Sequence, residues 1–335
     1  MERADFDTII ENVLKYNVVA IVGLEKNTGK TETLNYIVQN VKSHRRLALT
    51  SIGTDGEEKD IVFGTLKPSV YVDFNFLYTT TELFFKRRTV LSEILYLSKY
   101  QTPTGRVIIA RSLEKGKIIL SGPPVTSWME ESVEFLKNRA NLVLIDGALS
   151  RFSQATPFIA EGIILATGAA YSLDKREIVK HTKYIYLLCQ LPEVEKSQAE
   201  ILSNAITVHI FQNNEWRDLG IESALHLTKL REISGTNEKI EKLYIPGALT
   251  DNILKFAHSR GIEELIVRDF TKIFVSYDMY IKYKPQLKVL KSSNIIGITV
   301  NPFSPTGYII DSKQIIEELK KHIPLPIIDV RKEPQ

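Results

Sequence analysis

Through the first half of the chain, short apolar runs bounded by Gly, Asp or Pro alternate with stretches whose apolar residues recur at helical spacing. The runs at 17–23, 47–52, 117–120, 142–145, 162–166 and 184–189 read as buried strands, because continuous apolarity over so few residues suits a strand covered on both faces. Leu34, Ile37, Val38 and Val41 share one side of a helix over 30–41, and 128–136 is a second helical stretch. This alternation predicts an α/β fold, a mostly parallel sheet flanked by helices.

A charged stretch carrying Pro192, from 191 to 204, interrupts the pattern and marks a boundary. Beyond it, 206–211 reads as a strand, 212–215 as a turn, and the chain returns as a strand through Trp216. Further strands are expected at 242–245, 264–267, 295–300 and 326–330, with helices at 251–260 and 312–322. The expected organisation is an N-terminal domain over 1–200 and a second, smaller α/β domain over 201–335. A length of 335 residues suits two domains of this kind. Neither an internal repeat nor a low-complexity tract is evident.

The most informative segment runs from Val18 through Gly23, Leu24, Glu25, Lys26, Asn27, Thr28, Gly29, Lys30, Thr31 and Glu32 into the first amphipathic helix. An apolar strand delivers the chain to a tight loop, where Gly29 lets main-chain amides approach phosphate oxygens closely. The first helical amides lack partners inside their own helix and face an anion. Lys30 is the candidate catalytic residue, a mobile positive charge for the β- and γ-phosphates, and Thr31 offers a hydroxyl to magnesium. The chemistry expected is therefore binding of a nucleoside triphosphate, ATP, with Mg2+, the choice between adenine and guanine being left open by these residues. Residues 23 and 25–32 form the candidate nucleotide-binding set, in a P-loop NTPase domain.

A metal-bound triphosphate also needs a carboxylate. Asp146 emerges from the apolar strand 142–145, at the edge where open parallel sheets bind ligands. Asp55, in the acidic segment after the 47–52 strand, is the second candidate; an ordinary Asp-Gly turn is its competing reading. Thr31, Asp55 and Asp146 are thus the expected metal residues. The segments 102–105 and 121–124 are turn-rich and either line the site or merely connect elements. Thr167, Gly168 and Ala169 follow a strand and can offer amides, and Gln190 to Glu193 follow another. Asn301 to Gly307 forms either a ligand loop or a Pro-rich turn.

Charge changes this picture little. Forty-three basic against 40 acidic residues leave +3, too small for a broad nucleic-acid or anionic-membrane footprint. His44, Arg45 and Arg46 read as a solvated helix end. A single cysteine, Cys189, forms no internal disulfide and reads as a buried structural thiol. A charged N-terminus, with no apolar stretch of membrane-spanning length, predicts a soluble cytoplasmic protein. The six histidines show no zinc spacing, and neither a Ser-His-Asp signature nor a cobalamin motif is present.

Five residues separate Gly23 from Gly29, one more than in the common phosphate loop. This form resembles dethiobiotin synthetase and its amidoligase relatives, a branch that includes dimeric ATPases with a signature lysine in the loop. Glu25 stands at the signature position here, beside Lys26, so a lysine reaching across a homodimer is in doubt. More specifically, 23–31, 50–57, 145–151 and 164–169 resemble the P-loop subunit of the lysine 5,6-aminomutase reactivase family, over roughly the first 200 residues. That resemblance implies a MutS-like ATPase partner, an aminomutase client, and ATP with magnesium spent to replace damaged adenosylcobalamin. It carries over Lys30, Thr31 and Asp146 as nucleotide and metal residues, and Ser150 and Arg151 as pattern positions without an assigned role. Two other functions compete. One is a dethiobiotin-synthetase-like ligase or kinase acting on a small carboxylate, which needs basic residues that no cluster near these motifs supplies. The other is a binding module with a vestigial site.

Overall fold

The computed structural model describes residues 2–52, 70–148, 156–223 and 239–332. It is α/β, with a large, mostly parallel sheet flanked by helices, and divides into two compact units. The first comprises Met1–Ala155, Ile159–Lys183 and Ile295–Gln335; the second comprises Thr156–Phe158 and Tyr184–Asn294. This differs from the expected division at residue 200. The strands near 295–300 and 326–330 extend the first unit's sheet, because their apolar residues pair with the strand at 162–168 and its neighbour.

The first unit begins with α1 (Glu2–Val13), β1 (Val18–Gly23), α2 (Lys30–Val41) and β2 (Leu47–Ser51). It continues with β3 (Val70–Val72), β4 (Leu77–Thr81), α3 (Glu82–Lys86), β5 (Ser92–Thr102), β6 (Gly105–Ser112) and β7 (Gly116–Ile118). Then come α4 (Thr126–Lys137), β8 (Leu142–Ala148), β9 (Gly162–Gly168) and α5 (Lys175–Cys189), within which the division falls.

The second unit holds α6 (Lys196–Leu202), β10 (His209–Gln212), β11 (Glu215–Asp218), β12 (Lys242–Ile245), β13 (Leu249–Thr250) and α7 (Asp251–Ser259). It ends with β14 (Glu264–Val267), β15 (Ile273–Phe274), α8 (Tyr277–Tyr283) and β16 (Gln286–Val289). The chain then returns to the first unit as β17 (Ile295–Asn301), α9 (Ser312–Lys320) and β18 (Ile327–Ile328).

The nine-stranded sheet has the order β18-β17-β9-β1-β8-β2-β4-β6-β5. Every pair from β18 to β4 is parallel, whereas β4, β6 and β5 pair antiparallel. β1 lies near the middle, and all six of its residues are buried. Val19, Ile21, Leu49, Leu144 and Ile164 pack on one face against Phe6, Ile9 and Val13 of α1 and Leu34, Ile37 and Val41 of α2. On the other face the Thr50 hydroxyl meets Met129 of α4, and the Thr182 hydroxyl of α5 donates to Thr167 Oγ1 at 3.1 Å. Helices on the two faces explain why these strands read as continuous apolar runs rather than alternating ones.

The antiparallel extension was not foreseen. Its edge strand β5 carries exposed Ile94 and Leu97 and is interrupted by bulges, which blur the alternation that marks a strand. The 102–105 segment is the β5–β6 hairpin turn, with Thr102 paired to Gly105 and Gly105 at a φ of 99°.

The 184–189 run, expected as a strand, is the end of helix α5. Six apolar residues cannot distinguish the two periods. From Ile178 onward, however, the buried positions Ile178, Thr182, Ile185 and Cys189 recur at helical spacing, and Leu187 faces out.

The second unit's sheet runs β11-β10-β12-β14-β16. The expected hairpin is β10–β11, with Asn213 and Asn214 both left-handed at φ of 52° and 64°, as a tight hairpin requires. Cys189 is buried, and burial pushes its thiol well above the ordinary range. Tyr244, buried in strand β12 of this sheet, is pushed up to about 12 by the same cause. Among the described residues no helix is long and apolar enough to cross a membrane.

Candidate functional site

At the carboxyl end of β1 the chain turns through 24–29 into α2. The Leu24 amide donates to Ala166 O of β9 at 2.8 Å, which ties the start of the loop to the neighbouring strand. Beyond it the loop curls around one carbonyl. Glu25 O accepts from the buried Thr28 hydroxyl at 2.9 Å and from Lys30 Nζ at 3.2 Å. Two residues make the reversal, Asn27 with φ of 61° and Gly29 with φ of 88°. Gly23 also has to be glycine. A Cβ there would lie 2.2 Å from Thr28 Oγ1, 2.9 Å from Lys30 Cγ and 3.0 Å from Glu25 O.

Gly29 is the N-cap of α2, and no side chain caps it. The helix's first main-chain bond is Thr33 N to Gly29 O at 2.9 Å, so the amides of Lys30, Thr31 and Glu32 precede the intrahelical ladder. Together with the helix dipole, amides so placed favour an anion. Glu25 and Lys26 are exposed, and the Glu25 carboxylate accepts its neighbour's amide at 2.8 Å.

Asp146 stands in β8 opposite Ile21 of β1 and Ser51 of β2. Side chains alternate along a strand, so Asp146 shares the α2 face with Leu142 and Leu144. It is half-buried near the carboxyl end of the strand. Thr31, in the first turn of α2, belongs to the same face and edge. Among the described residues no three His, Cys, Asp or Glu cluster as a metal cage. Magnesium held by one hydroxyl, one carboxylate, phosphate oxygens and water requires no such cluster. Asp55, Ser150 and Arg151 lie outside the described residues.

The structure also brings to this edge residues that sequence reasoning did not assign to it. Asn301 ends β17 on the α2 face, and its Nδ2 donates to Asn27 O at 3.0 Å. Arg331, just past β18, holds Glu32 in a two-point ion pair, with Nε to Oε2 at 2.7 Å and its terminal nitrogen on Oε1. The Arg331 guanidinium lies 4.3 Å above the Phe303 ring. Glu32, one of the residues expected to meet nucleotide, is here the partner of Arg331. For Asn301 the signal was its place after an apolar strand at the head of 301–307, expected as either a ligand loop or a Pro-rich turn. For Arg331 there was none.

Several other expected segments turn out to be internal supports. Ala169 N donates to Asn301 O at 2.9 Å rather than being presented to a ligand. Gly168 lies so close to β17 that a Cβ would fall 1.9 Å from Asn301 O. The 121–124 loop packs on the ends of β2 and β4: Ser121 N donates to Thr79 O at 3.2 Å, and a Cβ on Gly122 would fall 1.8 Å from Ser51 O. Glu193 belongs to the second unit, where it accepts from the Ser292 amide at 2.8 Å and hydroxyl at 2.7 Å. These bonds hold its carboxyl below the usual range.

Tyr171 follows β9, its amide on Gly168 O at 3.0 Å and its ring stacked on His181 at 4.7 Å. Burial raises the Tyr171 phenol, and the charges of Glu177 and, more weakly, Glu25 of the loop add to that. Burial lowers the His181 imidazole, because it disfavours the ring's charged form.

The fold and this edge define an α/β protein whose central parallel strand enters a glycine-bearing loop and a helix N-terminus. Comparison with known proteins narrows it no further: no family model, curated protein or solved structure matches the chain.

Proposed function

We propose that residues 23–31 bind the polyphosphate of a nucleoside triphosphate, ATP with Mg2+, and that the chain is a magnesium-dependent ATPase of the P-loop class. One observation carries this reading. The segment curls between a buried central strand and an uncapped helix start, with left-handed Asn27 and Gly29 and a Gly23 that tolerates no Cβ. Such a turn presents successive main-chain N–H groups to an anion. Lys30 brings its ammonium to the β- and γ-phosphates. The Thr31 hydroxyl and the Asp146 carboxylate would hold the metal and its waters, with Asp55 as the expected further carboxylate. Magnesium, when bound, offsets charge on the phosphate oxygens.

The biological role we propose is that of a reactivating-factor subunit for an adenosylcobalamin-dependent aminomutase, working with a MutS-like ATPase. The competing ligase or kinase reading requires a basic residue free to seat a carboxylate. Among the described residues, Arg331 is brought to α2 and is paired with Glu32.

The test is nucleotide binding by calorimetry. Lys30→Ala removes a charge-assisted hydrogen bond worth about 1.5–3 kcal/mol, so ATP affinity should fall about tenfold to 150-fold. Unchanged affinity would mean the site is misassigned. Basal ATP hydrolysis should be slow and rise when aminomutase or the partner ATPase is added. A burst of ADP with a small carboxylate alone would instead favour the ligase.

A further inference from the structure

Asn301 is 7% exposed, and each of its polar side-chain atoms is used. Nδ2 donates to Asn27 O at 3.0 Å, and Oδ1 accepts from Phe303 N at 3.1 Å. Its main-chain carbonyl accepts from Ala169 N at 2.9 Å. The loops that follow β1, β9 and β17 are thereby joined through one residue. The same side chain flanks the second left-handed position of the loop, since a Cβ on Gly29 would meet Asn301 Cβ at 3.1 Å.

A trans peptide unit points its C=O and its N–H in opposite directions. Holding the Asn27 carbonyl toward β17 therefore fixes the Thr28 N–H to point away from β17. It also holds Asn27 in a left-handed conformation that a residue with a Cβ adopts at a cost.

We infer that Asn301 is a positioning residue for the phosphate loop, acting through the main chain of Asn27, 274 residues earlier in sequence, to aim the loop amides at polyphosphate. This rests on the phosphate-binding reading of 23–31. It adds that a residue from the returning C-terminal strands sets polyphosphate affinity without touching the base.

The experiment measures binding of inorganic tripolyphosphate, ATP and GTP, each with Mg2+, to the full chain and its variants. Asn301→Ala should weaken all three by a similar factor, about threefold to tenfold, as expected for one lost neutral hydrogen bond. In an Asn27→Gly background, where the left-handed conformation is free, Asn301→Ala should cost less than it does alone. If Asn301→Ala does not fold, Asn301→Ser takes its place. Its hydroxyl can still accept from Phe303 N two residues on, as in an ST turn, while the amide donor to Asn27 O is lost and no charge is added.

A loss confined to ATP and absent for tripolyphosphate would overturn the inference, because Asn301 would then act on the base. Unchanged binding of all three by the variants would overturn it too. Wild-type protein that binds none of the three would sink the phosphate-loop reading, and this inference with it. Lys30-dependent wild-type binding with unaltered Asn301 variants would sink the inference alone.

Discussion

In the first unit, β1 hands the chain to a loop whose main chain is held open by Asn27, Gly29 and the Asn301 amide. In the second, β14 is just as buried, and two residues past its end at Val267 stands Asp269, whose carboxylate is consumed within its own fold. Oδ2 accepts from Thr156 Oγ1 at 2.7 Å, and Oδ1 accepts from the amide of Thr271 at 2.9 Å and from its hydroxyl. Asp269 caps a short 3-10 turn and is 1% exposed, so it has no surface left for a ligand. An Asp close after a buried strand is therefore a poor marker of function when taken alone. What distinguishes the β1 end is the pair of glycines, the reversal between them and the helix start that follows.

The comparison can be broken first at its glycines. Gly168→Ala in the first unit places a Cβ 1.9 Å from the main-chain oxygen of Asn301, at a φ of 144° that L residues rarely adopt. Main chain cannot swing aside as a flexible side chain can, so a loss of about 3 kcal/mol or more is expected in urea denaturation. Gly247→Ala in the second unit meets nothing within 4 Å and should be close to neutral. Equal effects would mean that the sheet edge around Asn301 is not tightly packed.

Next in size is Asp269→Ala. It strands two threonine hydroxyls and an amide in a buried setting, and a cost of about 2 kcal/mol or more is expected, with polyphosphate binding by the first unit preserved. Lost phosphate binding in a folded Asp269 variant would assign this carboxylate a role the comparison denies it.

The smallest effect concerns pH. Folded His181 has a pKa below its ordinary 6.5, because burial disfavours its charged form. Between those two values the unfolded chain binds the proton more readily than the folded one does. Stability is therefore complete above about pH 6.5 and is lost as pH falls through the folded value. Thermal midpoints followed down through that window should decline for the wild type. They should stay flatter for His181→Phe, which retains a ring against Tyr171 without the titration.

Much of this architecture could be read from sequence where one period persisted. The apolar runs at 17–23, 142–145 and 162–166 and the helical spacing at 30–41 and 128–136 fall within or on β1, β8, β9, α2 and α4. The loop from Gly23 to Glu32 was located by its glycines and Lys30. Three things were not legible. The 184–189 run was too short to separate a helix from a strand. The β5–β6 hairpin presents apolar Ile94 and Leu97 to solvent, contrary to the burial that a strand pattern assumes. Asn301 and Arg331 join the site only through pairing of β17 with β9 and of β18 with β17, and no local pattern encodes such a partnership.

The return of β17 and β18 to a sheet begun by β1 has a consequence for biosynthesis. A contact between residues 27 and 301 closes one of the longest loops the chain can make, and contacts that distant in sequence slow folding. On the ribosome, the strand bearing Gly23 is made early but waits for the segment encoding 295–328 before its sheet is complete. A nascent chain halted before that segment would carry every residue of the loop and still lack the brace from Asn301, so the loop should reach its final form only after residues 295–328 have been made.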